Sequence, residues 1–430
     1  MKKIIALLLA VVMVLGLAAC GTAPAPAETK APEAAAPAET AAPEAPAAPE
    51  AITLKVWGPN EDQSVPSLEE SFLYVACEKF DEAHPEWDIE FVYEVCAEGD
   101  AGGMVSKDPS AAADVYMFAN DQLGTLLQAN AIARLGGDAL AQVEADNTER
   151  MISTVSKDGA VYGVPFTINT WFMYYDTSVY TEEDIKSLDA MMAIKPIAYQ
   201  VTNTWYLPAF YYAVGGTMFG DGTDGAQGID FGSEKAAAAT LYIANALAEG
   251  KMIDDANGTG LDGLRAGTVG AFFSGTWDAG NAKDALGENY GAAAVPAITI
   301  DGESYQLTPF AGSKAFGVNP NSANLKAATA LAAWLGSAEM QALHAEIRNG
   351  EVQPIAKSIV EGNENADAAA AAQTDTFNNK SVYQPTIPEM GAYWTNAGSM
   401  GQALVNGEIN ADNVAEMQAT WNAGINDAGL

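Results

Sequence analysis

Ile52-Thr53-Leu54-Lys55-Val56-Trp57, followed at once by Gly58-Pro59, reads as an alternating strand and its stop. Just downstream, Leu68, Phe72, Val75, Ala76 and Phe80 recur at helical spacing, and His84-Pro85 ends that helix. Ile89, Phe91, Tyr93 and Val95 then alternate with Asp88, Glu90 and Glu94, predicting a second strand. A third strand over 113–118 leads into a helix around Gln122 to Ala129. Strand, helix, strand, helix in this order predicts an α/β fold with a mainly parallel sheet flanked by helices.

The same alternation continues. A short hairpin arm is expected over 160–165 and an aromatic-rich strand over 170–175. Glu234 to Glu249 predicts a helix with Leu241, Ile243, Ala244 and Leu247 inward. Further strands are expected over 268–273 and 290–295, and helices over 327–335, 338–347 and 412–425. The alanine run 366–372 is of low complexity, and packing can make it helical. From about Ala51 to Leu430 the chain exceeds what one hydrophobic core usually supports, so two domains are expected.

Ahead of this head lie Lys2 and Lys3, an apolar run from Ile4 to Ala19, and then Cys20. A charged start, an apolar stretch and small residues at its end describe a secretory leader over 1–19, outside the fold. The run is short for a bilayer span, which takes about 20 apolar residues. From Gly21 to Glu50 the chain is almost wholly Ala, Pro, Glu and Thr, with no aromatic residue. Such a segment cannot bury enough apolar surface to offset its ordering entropy, so a disordered tether is expected. At about 3.1 Å per residue an extended tether of this length reaches on the order of 90 Å.

Charge narrows the function classes. The chain carries 20 Lys+Arg against 56 Asp+Glu, a formal charge of -36. Loss of the leader removes two lysines and no acid, making the remainder more negative still. Nucleic-acid binding needs a basic footprint, and this field has the opposite sign. Anionic membranes and anionic substrates are disfavoured for the same reason, leaving a neutral polar ligand. Beyond Cys20 only Cys77 and Cys96 remain, at a spacing that fits no zinc motif; a disulfide between them and two buried thiols are both open. With only His84 and His344, both read as surface or helix-end residues, a histidine metal or catalytic site is poorly supplied. Neither metal nor cofactor is expected.

Catalytic motifs are missing. Gly275 and Gly280 have phosphate-loop spacing, but Asn281 stands where the lysine is required. No Gly-x-Ser-x-Gly elbow occurs. Carboxylates are so numerous that spacing carries no information about a glycosidase pair. The stretch Asp221 to Asp230 lacks the ordered calcium-loop spacing and reads as a glycine-rich turn. What the head offers instead is aromatic residues beside polar ones: Trp205-Tyr206, Trp277-Asp278 and Tyr393-Trp394. Sugars present flat C–H faces bordered by hydroxyls, which rings cover while acids and amides bond the rim. The plainer reading, for any one of these rings, is that it fills a core.

Six segments in order carry a resemblance: Val56 to Gln63, Phe80 to Glu86, Asp114 to Gly124, Tyr162 to Pro165 with Tyr174 to Asp176, Gly267 to Trp277, and Ile387 to Trp394. Across nearly the whole head the chain resembles the extracellular solute-binding proteins of bacterial ABC sugar importers, in their maltose/maltodextrin-binding branch. Leu17-Ala18-Ala19-Cys20 resembles the lipobox, which implies lipidation of Cys20 and a cell-surface lipoprotein anchored to a bacterial membrane.

The resemblance implies a two-lobed periplasmic-binding-protein-like fold, a central ligand cleft and three inter-lobe crossings, near 169, 297–307 and 356–365. Lobe one would comprise 51–168 plus 308–360, and lobe two 169–307 plus 361–430. A monomeric, non-enzymatic binder of neutral oligosaccharides that delivers its ligand to a membrane permease is implied, with indoles gripping the glycan from opposite halves of the cleft. Carried over by position, Trp277, Trp394 and Tyr206 would be stacking platforms, Trp205 a further aromatic contact, and Glu61 and Asp121 hydroxyl acceptors. Gln63 closes the first ligand loop. Asp62 stands where the branch has a lysine, Phe118 replaces a tryptophan, Gln122 an arginine, and Asn169 and Asn203 glutamates. These departures leave open the sugar's identity and length, including a β-linked or galactose-containing glycan. An anchored glycoside hydrolase and a scaffold lipoprotein are the rival classes.

Overall fold

The computed structural model describes residues 48–64, 67–348, 352–360 and 367–427. The leader, Cys20 and the tether up to residue 47 lie outside the described residues, as does part of the third expected crossing.

Two sheets organise the head. The first joins Glu50–Gly58, Trp87–Val95, Val115–Ala119, Gly163–Asn169, Phe310–Val318 and the short Val382–Tyr383. Glu50–Gly58 pairs in parallel with both Trp87–Val95 and Val115–Ala119. Phe310–Val318 runs antiparallel to Val115–Ala119 and to Gly163–Asn169. The second sheet has Phe172–Asp176, Ile197–Tyr199, Met252–Asp254, Ala271–Ser274 and Tyr290–Ala293. Here Ile197–Tyr199 pairs in parallel with both Met252–Asp254 and Ala271–Ser274, while Phe172–Asp176 is antiparallel to its neighbours. The sheets are therefore mixed, where the succession of elements predicted mainly parallel ones. The late strand Phe310–Val318 reverses the local direction in the first sheet and the earliest strand, Phe172–Asp176, does so in the second, and alternation along a strand carries no information about direction.

Both sheets are covered on both faces. Along Phe172–Asp176, Met173 and Tyr175 enter one core while Phe172 and Tyr174 enter another. Val115 and Met117 likewise face one core and Tyr116 and Phe118 another. Such strands read as continuous apolar runs because successive side chains point to opposite, equally dry faces. The helix Glu234–Ala248 starts where the Ser233 side chain accepts from the Ala236 amide, and Gly250 follows its end at φ +66°. Ile243 and Ala244 are buried along it, whereas Leu241 and Leu247 are only half-buried.

Local differences from expectation have simple causes. The first helix begins at Phe72, not Leu68, which is exposed in the preceding turn. The first strand begins at Glu50, inside the segment expected to be tether. The alanine run becomes the helix Ala368–Asn379, with Asp367 capping it and Ala369, Ala372 and Phe377 buried. Cys77 and Cys96 are both buried free thiols. Among the described residues no helix is long and apolar enough to cross a membrane.

The chain leaves the first sheet at Asn169 and enters the second at Phe172, with the Thr170 hydroxyl donating to the Phe310 carbonyl at 2.6 Å. It returns after the Ala297–Ile300 and Glu303–Gln306 hairpin, at Phe310.

Candidate functional site

In open α/β sheets ligands bind beyond the carboxyl ends of the strands. Glu61 and Asp62 lie on the single turn Asn60–Gln63 after the first strand, Glu98 follows Trp87–Val95, and Asp121 follows Val115–Ala119. From the second sheet, Trp205 follows Ile197–Tyr199 and Trp277 follows Ala271–Ser274. The two sheets present the same ends to each other.

Between them lies a cleft with two connected parts. One cavity of about 430 Å³ is lined by Asp121, Gln122, Asn169, Trp205, Gln384 and Trp394, together with Glu98 and Lys314. A narrow pocket of about 30 Å³ is lined by Glu61, Asp62, Trp277, His344 and Arg348, again with Glu98 and Lys314. On the second-sheet side the rings of Trp205 and Trp277 stand 6.1 Å apart, bridging the two parts. Trp277 is 36% exposed, and Trp394 is half-buried against the aromatic core of the second sheet. The three indoles thus belong to one side of the cleft, correcting the expectation of rings from opposite halves. Carboxylates and Lys314 form the facing wall.

The remaining expected residues are distributed unevenly. Gln122 donates to the Asp121 carboxylate at 2.7 Å. Asn203 is exposed; its Oδ1 accepts the Trp205 amide at 2.9 Å, and its Nδ2 donates to Gln200. It shapes the turn that carries Trp205. Gln63 is buried and spans two carbonyls, donating to Gly58 at 3.1 Å and Glu94 at 2.6 Å. It ties the turn Asn60–Gln63 to the sheet and does not line the cleft. Phe118 is fully buried beside Tyr116, inside the sheet and short of its carboxyl edge. Tyr206 is 2% exposed and stacked on Trp171 at 4.9 Å, so it closes a core and offers no open face. The resemblance named all three by position; Phe118 and Tyr206 are taken up by the cores and Gln63 by the bonds that hold its turn.

Asp62 is also buried, with its Oδ1 taking His344 Nε2 at 2.9 Å and Arg348 Nη1 at 3.0 Å. Burial alone would raise its pKa, but the contacts with His344 and Arg348 outweigh burial and hold the carboxyl below its ordinary value. His344 is accordingly a buried partner near its helix end and not a surface residue. Asp121 has no such cation, and burial pushes its carboxyl up to about 6, with Gln122 and the Trp394 indole offsetting part of the rise. Lys314 lies 2.7 Å from Glu98 and 5.9 Å over the Trp277 ring. Burial works against its charge, yet the Glu98 carboxylate outweighs burial and holds the ammonium above its ordinary pKa.

Glu98, Lys314, Gln384, His344 and Arg348 were not among the residues expected at the site. Gln384 accepts the Trp205 indole N–H at 3.1 Å and so sets that ring's orientation. A signal for Lys314 existed in the sequence: it is the lone charge in Phe310–Val318, a strand otherwise built of small and apolar residues.

Known proteins share this architecture. A chain solved with acarbose is 45% identical, with a TM-score of 0.83 over 87% of this chain and 99% of that one. A maltodextrin-binding protein from L. casei, solved without ligand, is 26% identical with a TM-score of 0.77, over 87% and 99% of the two chains. A galactooligosaccharide-binding protein of Bacillus subtilis is 25% identical over 71% of this chain and 75% of its own length. A maltooligosaccharide ABC transporter solute-binding lipoprotein of Streptococcus pneumoniae is 26% identical over the same shares. Residues 76–374 match the sequence profile of one family, and the chain belongs to it: the bacterial extracellular solute-binding proteins.

Proposed function

We propose that this protein captures neutral maltodextrin-type oligosaccharides outside the cell and hands them, unaltered, to an ABC permease in the membrane. The observation that carries the reading is the two-sided cleft, with Trp205, Trp277 and Trp394 on one side and Glu61, Glu98, Asp121 and Lys314 on the other. A sugar ring lays its C–H face on an indole and turns its hydroxyl rim to the carboxylates. The likeness to the acarbose-bound chain and to maltooligosaccharide-binding relatives supports an α-glucan. The galactooligosaccharide-binding relative supports a second reading, a galactose-containing neutral glycan.

In this reading residues 51–168 plus 308–360 form one lobe, and 169–307 plus 361–430 the other. The Val382–Tyr383 strand is an exception, joining the first sheet from the second segment. Asn169 stands at the first crossing. An open form accepts the glycan, and contacts to both lobes stabilise the closed form, which the permease recognises. Trp277, Trp394, Trp205, Glu61, Asp121, Gln122 and Asn169 touch ligand; Asn203, Gln63 and Asp62 support the loops that carry them. The lipid on Cys20 holds the protein at the membrane, and the head works as a monomer without metal or cofactor. Isothermal calorimetry with maltotriose, maltotetraose and galactooligosaccharides tests the ligand, and small-angle scattering tests closure. Saturable binding with a fall in radius of gyration and no release of reducing sugar is expected. Absence of binding to any neutral glycan, or hydrolysis of one, refutes the reading.

A further inference from the structure

The strand Phe310–Val318 is buried at every position except Lys314. Its register with Gly163–Asn169 shifts between Lys314 and Ala315. A bulge of this kind re-aims a side chain, and bulges concentrate beside sites. Its extra residue, Phe166, belongs to the partner strand, while Lys314 keeps regular register opposite Ala119, the last residue of its strand, and its ammonium reaches the junction of the two parts of the cleft, where Lys314 and Glu98 line both.

Their bonding capacity is only partly used. An ammonium has three donors and a carboxylate two acceptor oxygens. Among the described residues, the Lys314 ammonium has one hydrogen-bonding partner, Glu98 Oε1 at 2.7 Å, and Glu98 Oε2 has none. The side chains are 23% and 11% exposed, so bulk water reaches them poorly. Neither charge is sealed away, so the spare donors and the free oxygen open on the cleft, where a ligand can reach them. The pair is neutral as a unit, and the Trp277 ring lies beside it, 5.9 Å from the ammonium.

We propose that Glu98 and Lys314 together read two adjacent hydroxyls of the sugar unit that stacks at Trp277. The carboxylate accepts from one hydroxyl and the ammonium donates to its neighbour, a match for the vicinal diol of an uncharged pyranose. The inference rests on the oligosaccharide reading above and adds to it the groups that inspect the diol. An anionic sugar leaves Glu98 facing a like charge, and a deoxy sugar leaves one member of the pair desolvated and unbonded, which a buried charged group tolerates badly.

Calorimetry on the full-length head with maltotriose and its monodeoxy analogues tests this. Wild-type protein is expected to lose at least about tenfold in affinity when one of two adjacent hydroxyls is removed. Glu98→Gln is expected to bind maltotriose about tenfold more weakly and to discriminate that deoxy analogue by less than about threefold, with an intact thermal unfolding transition. Lys314→Gln, read in the same way against the neighbouring hydroxyl, covers the case in which Glu98→Gln does not fold. Folded variants that keep the wild-type discrimination overturn the diol assignment alone. Wild-type protein that ignores maltotriose overturns this assignment and the α-glucan reading together.

Discussion

His344 Nε2 lies 2.9 Å from Asp62 Oδ1, joining the last turn of the helix Ala338–Ile347 to the turn Asn60–Gln63 across 282 positions of sequence. Arg348 approaches the same oxygen at 3.0 Å, and both carboxylate and imidazole are 4% exposed. The His344 ring also stacks on Phe166 at 4.6 Å, so the loop is fastened to the sheet's core through it. The narrow end of the cleft is therefore held by a buried electrostatic knot.

Breaking that knot from one side is expected to be costly. Asp62→Asn keeps the shape but removes the buried charge that His344 and Arg348 share, and removal of one partner from a buried pair typically destabilises by about 3–5 kcal/mol. The Asp62 pKa is depressed in the fold, so its stabilisation is present above the unfolded value and lost as pH falls through the folded one. Chemical denaturation at pH 7 should show the loss, and the variant's stability should change less than wild type below about pH 4. Equal stability of the two proteins at pH 7 would sink the claim.

The indoles should carry binding. Trp277→Ala and Trp394→Ala are each expected to cost roughly 2 kcal/mol of affinity for maltotriose or longer α-glucans, as aromatic anchors do. Calorimetry on both folded variants decides. Tyr206→Phe, by contrast, changes a ring sealed against Trp171 and should leave affinity within about twofold, since surface-remote contacts contribute little at an interface.

Asp121 should make binding depend on pH. Its carboxyl sits at about 6 because the cleft desolvates it, with the Gln122 and Trp394 hydrogen bonds recovering part of the penalty. A folded-state pKa raised above the unfolded value contributes stability below about pH 4 that is lost as pH rises through about 6. Binding runs the other way, because only the carboxylate is an all-acceptor group for hydroxyls. Glycan affinity is expected to weaken from pH 7 to pH 5 in wild type and to stay flat in Asp121→Asn. Parallel pH profiles for the two proteins would remove Asp121 from the site.

Anchoring is separable from binding. Cys20→Ala should release the protein into the medium with its glycan affinity unchanged. Fractionation of expressing cells checks this, and retention of the variant in the membrane fraction would exclude a lipid on Cys20.

Much of the fold was legible because it rests on short-range periodicity. Alternation over 52–57 and 89–95, the proline after His84 and the apolar spacing over 234–249 each report a local choice between strand, helix and stop. Order of elements then led to an α/β head, and leader, tether and charge to an extracytoplasmic binder of neutral ligand. Strand direction was not legible: Phe310–Val318 runs antiparallel to Val115–Ala119 only because of the path the chain takes between the sheets.

The site divides in the same way. Trp205, Trp277, Glu61 and Asp121 were given their site roles by the resemblance alone; the structure sets each in a segment beyond a strand's carboxyl end, lining the cleft. Phe118, Tyr206 and Gln63 sit beside those positions, yet packing draws them into the cores and the loop scaffold. Asp62 finds His344, and Glu98 finds Lys314, across more than 200 residues. Periodicity tells which side of an element seeks shelter from water; only the folded arrangement of elements decides which distant charge will be waiting there.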